Sequence, residues 1–205
     1  MKKIILGILL VVFAIAGYYW YQFSKVRGGD NGPKQQPLTL KKHSAAFNQA
    51  VANAMNAYFE MSAAFVEGDT VKVKENDRKF IQLLDSIPMD ELKKDTASIY
   101  ELAMNDMGNI KANAQSLLTM TSILEMRKDF STVSENLYPS FFNTINYEGD
   151  NLYWQNCPMA FGDDKEANWV SKTREVVNPY LGKNHPEFKA TMLHCGIIKD
   201  TIKTK

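Results

Sequence analysis

A chain of 205 residues with 45% apolar and 11% aromatic side chains can bury a core, so it is no disordered tail. Its 24 basic and 23 acidic residues leave a net charge of +1 with no Lys/Arg stripe, which argues against a nucleic-acid partner. Three histidines, His43, His185 and His194, leave little room for a multi-histidine catalytic centre.

The chain opens Met1-Lys2-Lys3 and then runs apolar and uncharged from Ile4 to Phe23. Residues 1–24 therefore read as a signal sequence or an N-terminal membrane anchor. Ala14-Ile15-Ala16 before Gly17 suits a cleavage site. The anchor is preferred, because the apolar run continues past that site to about the 20 residues a bilayer needs. Tyr18-Tyr19-Trp20-Tyr21 would then lie at the outer interface. No cysteine follows the apolar run, which excludes a lipoprotein. Either route places the bulk of the chain in the cell envelope, on the periplasmic side, held to the inner membrane by residues 4–23 if uncleaved. Residues 25–40, rich in Gly, Pro, Gln and charge, have the composition of a flexible linker.

From residue 41 to 147 the period is helical. Phe47, Val51, Ala54, Tyr58, Met61 and Phe65 form one apolar stripe, with Ser44 suited to cap its start and Gly68 its end. A second helix begins after Asp69 or Thr70, carries Val73, Phe80, Ile81, Leu84 and Ile87, and stops at Pro88. Residues 89–94 are a polar connection with room for a short helical turn. A third helix, from about Ala97 to Leu118, has the stripe Ile99, Leu102, Met107, Ile110, Ala114 and Leu117. Ser122-Ile123-Leu124-Glu125 fits a capping box ahead of a fourth helix, which Pro139 kinks or restarts. The expected fold is mainly α: an antiparallel four-helix bundle, followed by an irregular or small-β segment that holds both cysteines. Met104 and Met107 share a helix face, but methionine on a helix is by default core filler. His43, just ahead of the first helix, is by default solvent-exposed.

The helical period ends after Ile145, and residues 148–205 form the cysteine segment. Leu152 to Gln155, Trp169 to Ser171 and Glu175 to Val177 suit short extended pieces, and Asn178 to Gly182 a turn. Cys157-Pro158-Met159 lies near the start of this segment and Met192-Leu193-His194-Cys195-Gly196 near its end. Two chemistries are open. An even cysteine pair in an exported chain is normally a disulfide, and closing a loop of about 39 residues restricts the unfolded chain by about 4 kcal/mol. Thiolate and thioether donors instead select Cu(I), with Cys157, Met159, Met192, His194 and Cys195 as the donor set. In extended chain Cys157 and Met159 face one way, and so do Met192 and His194. In the disulfide alternative, Trp169, Asn178, Pro179 and Tyr180 form a partner-binding surface on a module without metal. An enzyme is not expected, since His194 beside Cys195 supplies no spaced base and orienter.

Four ordered motifs carry a resemblance: Cys157-Pro158-Met159-Ala160, Trp169-Val170-Ser171, Asn178-Pro179-Tyr180-Leu181-Gly182 and Met192-Leu193-His194-Cys195-Gly196. With Arg127, Phe130 and Ser134 on the last long helix, they make the chain resemble the exported family labelled domain of unknown function 3347. Domains like it occur alone and fused to periplasmic adaptor subunits of heavy-metal efflux pumps. The resemblance implies copper or silver handling, with an efflux adaptor or another envelope protein as partner. The chain departs from the pattern at Glu166, where glycine is common, and in a longer loop from Lys183 to Ala190. It also lacks a histidine after the tyrosine of the first helix, where Tyr58 is followed by Phe59-Glu60-Met61.

Overall fold

The computed structural model describes Tyr18, residues 42–95 and residues 97–203. The N-terminal apolar run, its alternative cleavage site and the linker lie outside these residues, Tyr18 apart. Among the described residues no helix is long and apolar enough to cross a membrane. The residues from 42 onward belong to one compact unit, Thr39–Lys205.

Helix α1 spans Ala45–Glu67. Ser44 Oγ accepts from the Phe47 amide at 3.1 Å, and Gly68 ends the helix in the left-handed region at φ 72°. Phe47, Val51, Ala54, Tyr58, Met61 and Phe65 are all buried, as the stripe requires. Helix α2, Thr70–Asp85, is capped by Asp69, whose Oδ1 accepts from the Lys72 amide at 3.0 Å. Its buried face is Val73, Asp77, Phe80 and Leu84. A 3-10 turn, Met89–Lys94, leads into helix α3, Ala97–Thr119. The α3 stripe differs at one predicted position, because Leu102 is exposed and the neighbouring Ala103 is buried instead. The inward positions 99, 103, 107, 110, 114 and 117 keep the steps of three and four.

Helix α4, Ile123–Glu135, starts where Ser122 Oγ accepts from the Leu124 amide at 3.3 Å. It passes into a π-type stretch, Asn136–Phe141, broken by the non-helical Tyr138 ahead of Pro139. A short helix α5, Phe142–Ile145, follows, and Asn146 ends it at φ 50°. Consecutive long helices pack on one another, α1 on α2, α2 on α3 and α3 on α4. The chain is therefore mainly helical, with a small antiparallel sheet after the helices.

That sheet has the order β2-β1-β3, with β1 (Leu152–Cys157) central between β2 (Ala167–Ser171) and β3 (Ile197–Ile202). Cys157 stands opposite Ala167, and a bulge lies between Trp154 and Gln155 on the β3 side. Being central, β1 is buried at every position but Tyr153, whereas β3 is largely exposed. The expected extended piece at Glu175–Val177 forms no strand. The third strand is the unpredicted β3, whose polar Lys199-Asp200-Thr201 suits an edge.

The exposed reading of His43 is overturned. Its side chain is 2% exposed, and its ring stacks on Phe47 at 4.3 Å between centroids. Nε2 lies 2.5 Å from the Ile145 carbonyl, so the residue ahead of α1 is fastened to the end of α5.

Candidate functional site

Cys157 is the last residue of β1 and is fully buried. Cys195 sits in the loop before β3, half-buried, in a turn closed by its own amide donating to the Met192 carbonyl at 3.0 Å. Asn178 Nδ2 donates to the Cys195 carbonyl at 2.9 Å and holds that turn in place. The two Sγ atoms lie 3.5 Å apart, as two thiols in contact. Burial first, and the hydrogen bond of its S–H to Cys157 second, push the Cys195 thiol up to about 11. At neutral pH that thiol keeps its proton, which makes it a poor nucleophile.

The other predicted donors are less uniform. Met159 is half-buried in the turn after β1, where its carbonyl accepts from the Gly162 amide at 3.3 Å. Met192 is half-buried and packs against the core. Both lie in turns rather than strands, so the same-face argument from extended chain does not apply. Within its turn Met192 pairs by backbone with Cys195, three residues on, while His194 is exposed. His194 Nδ1 donates to the Val176 carbonyl at 2.7 Å. Among the described residues no three of His, Cys, Asp and Glu gather to hold a metal ion. Of the predicted donors, the two cysteine sulfurs are in contact, while the His194 ring is committed to the Val176 carbonyl.

Trp169, Asn178, Pro179 and Tyr180 are all buried, which removes them as a partner surface. They form an internal clasp. Asn178 Oδ1 accepts from the amides of Tyr180 at 2.8 Å and Leu181 at 3.1 Å, an Asx turn that curls the chain back. Tyr180 OH donates to the Asn168 carbonyl at 2.5 Å, and its ring meets Trp169, Phe161 and Phe130. Pro179 offers its carbonyl to Arg127 Nε at 2.9 Å, and Arg127 Nη2 donates to the Phe65 carbonyl at 3.0 Å. Desolvation lowers that guanidinium to about 10. Gly182 completes the clasp at φ 60°, where a Cβ would lie 2.8 Å from the Val66 carbonyl and 2.9 Å from Arg127.

The helices meet this clasp through Tyr58 and α4. Tyr58 OH bonds Ser134 Oγ at 2.7 Å and accepts from the Val170 amide of β2 at 3.1 Å. Its ring stacks on Phe130 at 5.0 Å between centroids. Residues 54–147, from α1 through the end of α5, match the model of a family described as Protein of unknown function (DUF3347). The chain is similar to this family over that stretch. No curated protein matches the chain, and no solved structure does. The DUF3347 match ends ten residues before Cys157, so the sulfur pair lies beyond the matched stretch. Arg127, Phe130 and Ser134 lie within it, and all three point into the seam that joins the DUF3347 helices to the sheet.

Gly196 links this architecture to the sulfur pair. At φ 144° it tolerates no ordinary side chain, and a Cβ there would lie 2.6 Å from the Asn156 carbonyl beside Cys157. Gly196→Ala is expected to cost about 2–4 kcal/mol, from backbone strain and a displaced β1 carbonyl. The same change should part the two thiols. Urea unfolding reads the first effect, and the rate at which diamide cross-links Cys157 to Cys195 reads the second.

Proposed function

We propose that this chain is an exported, membrane-anchored protein that captures a soft metal, Cu(I), between Cys157 and Cys195. In this reading an antiparallel four-helix bundle is the support, and the anchor holds it on the periplasmic face of the inner membrane. The thioethers of Met159 and Met192, each within three residues of one cysteine, complete the donor set. His194 is left outside it, with Nδ1 committed to the Val176 carbonyl. The single observation that carries the reading is the 3.5 Å contact of two free thiols, one buried and one half-buried. Such a pair offers a dehydrated bed and an entrance for the ion. The protein delivers metal rather than transforming a substrate, and its partner is an efflux adaptor or another envelope protein.

The same contact supports a second reading, a disulfide-stapled interaction module without metal. Oxidation needs the sulfurs to approach by about 1.5 Å, to the usual S–S length near 2.05 Å. Exported chains meet oxidising surroundings, so the two states exchange with redox poise.

Competition titration of Cu(I) into the reduced, detergent-solubilised full chain separates the readings. A submicromolar equivalent whose affinity rises with pH, absent from Cys157→Ser/Cys195→Ser, is the expected result. Because Cu(I) must displace the raised Cys195 proton, affinity should tighten about tenfold per pH unit for that proton between pH 6 and 8. Binding weaker than micromolar, or unchanged in the serine variant, leaves the stapled module as the function.

A further inference from the structure

One cleft of the helical region lies away from the cysteines, where the end of α2 and the 3-10 turn meet α3. It encloses about 520 Å³ and is lined by Met89, Met104 and Met107, with Tyr100, Leu84 and Gly108 among its other walls. Met104 and Met107, three apart on α3, project onto one helical face, and Met89 enters from the turn packed against it. Gly108 adds no side chain there, and a Cβ at that position would meet nothing within 4 Å. Three of the ten methionines of the chain thus line one cleft.

Core filling explains Met89 and Met107, which are buried. It does not explain Met104, which lines the same cleft while 41% exposed. A large apolar side chain left partly in water on a cleft that two further, buried methionines line offers three thioethers to one space. The charged rim points to the class of ion. Asp85 is paired with Lys111 and Asp90 with Lys93, so the carboxylates are already neutralised. Lys93 holds the Asp90 carboxyl below its usual range. A hard divalent ion would find little here to replace its hydration shell. A soft monovalent ion needs only neutral, polarisable sulfur.

We propose that this cleft is a second soft-metal site, in which the thioethers of Met89, Met104 and Met107 hold one Cu(I) or Ag(I). The site shares with the cysteine reading only the class of metal, and it stands or falls separately. Thioethers carry no proton to displace and do not pair as disulfides. The cleft therefore binds its ion in oxidising surroundings and with little dependence on pH, conditions under which the Cys157–Cys195 pair closes.

The test uses Ag(I), which needs no reductant, titrated calorimetrically in chloride-free buffer into the full chain carrying Cys157→Ser/Cys195→Ser. One equivalent should bind with micromolar or tighter Kd. Adding Met89→Leu, Met104→Leu and Met107→Leu, swaps that conserve core volume, should weaken binding at least tenfold. Adding Met159→Leu and Met192→Leu instead should leave it unchanged. Methyl resonances of labelled methionine in the otherwise unaltered serine variant provide a second readout that needs no leucine variant to fold. Ag(I) should shift Met89, Met104 and Met107 and leave Met55 and Met61 in place. No binding to the serine variant, undiminished binding in the triple leucine variant, or shifts confined to other methionines would overturn the site. None of these results bears on whether the cysteines bind Cu(I).

Discussion

Asp77→Asn is expected to stabilise the chain at pH 8 by about 2–4 kcal/mol and to flatten its pH dependence. Asp77 sits on the buried face of α2 with no exposure, and neither carboxylate oxygen has a hydrogen-bond partner. Desolvation raises its pKa from 3.8 to about 7; the exposed Arg78 on its own helix opposes this, and Asp129 on α4 adds to it. Between pH 4 and 7 the folded chain keeps a proton that the unfolded chain has released. The folded state then binds more protons, so stability falls as pH rises through this window, and the loss is complete above about 7. Asparagine keeps the shape and never ionises, which removes that loss. Urea midpoints for both chains from pH 4 to 8.5 should converge at the acid end and separate at the basic end. Parallel curves would mean that Asp77 is solvated or paired in solution.

Arg127→Ala should act in the opposite direction, costing about 3–5 kcal/mol. The guanidinium bridges the Phe65 carbonyl at the end of α1 to the Pro179 carbonyl in the clasp, and both acceptors are buried with it. Truncation leaves two carbonyls without donors and opens a cavity against Gly182. Arg127→Lys should recover less than half, because an ammonium lacks the fork that reaches both acceptors. The effect should reach the sulfur pair as well, since Asn178, next to Pro179, holds the Cys195 carbonyl. Urea unfolding measures the cost, and a loss below about 1 kcal/mol would show that the clasp does not depend on this bridge.

The helices were legible because their signals are local. Ser44, Asp69 and Ser122 cap where their positions suggest, and Gly68 ends α1. Asp77 was legible in principle: it falls between Val73 and Phe80 on the α2 stripe, an acid at an inward position, and apolar counting passes over it. The clasp was not legible. Asn178, Pro179 and Tyr180 look like an exposed turn, since turns usually lie at the surface. Here Arg127, 52 residues earlier, supplies the donor that makes burial of the Pro179 carbonyl tolerable. His43 was misjudged for the same reason, its partner Ile145 lying 102 residues away. At the site, sequence brought the two cysteines into one segment, but only the antiparallel pairing of β3 with β1 returns the chain from Cys195 to the end of the strand that carries Cys157. Met192 and His194 do not share a face as extended chain would have them, because a turn, not a strand, spans residues 191–194.

The sulfur pair as a Cu(I) bed is tested most directly by copper K-edge X-ray absorption. The sample is the reduced full chain carrying Met89→Leu, Met104→Leu and Met107→Leu, loaded with one equivalent of Cu(I), so that the second cleft cannot contribute. The predicted spectrum has sulfur neighbours only, with no imidazole scattering from the exposed His194. Loss of that signal in Cys157→Ser/Cys195→Ser completes the assignment. A nitrogen or oxygen shell, or the same spectrum without the cysteines, would contradict it.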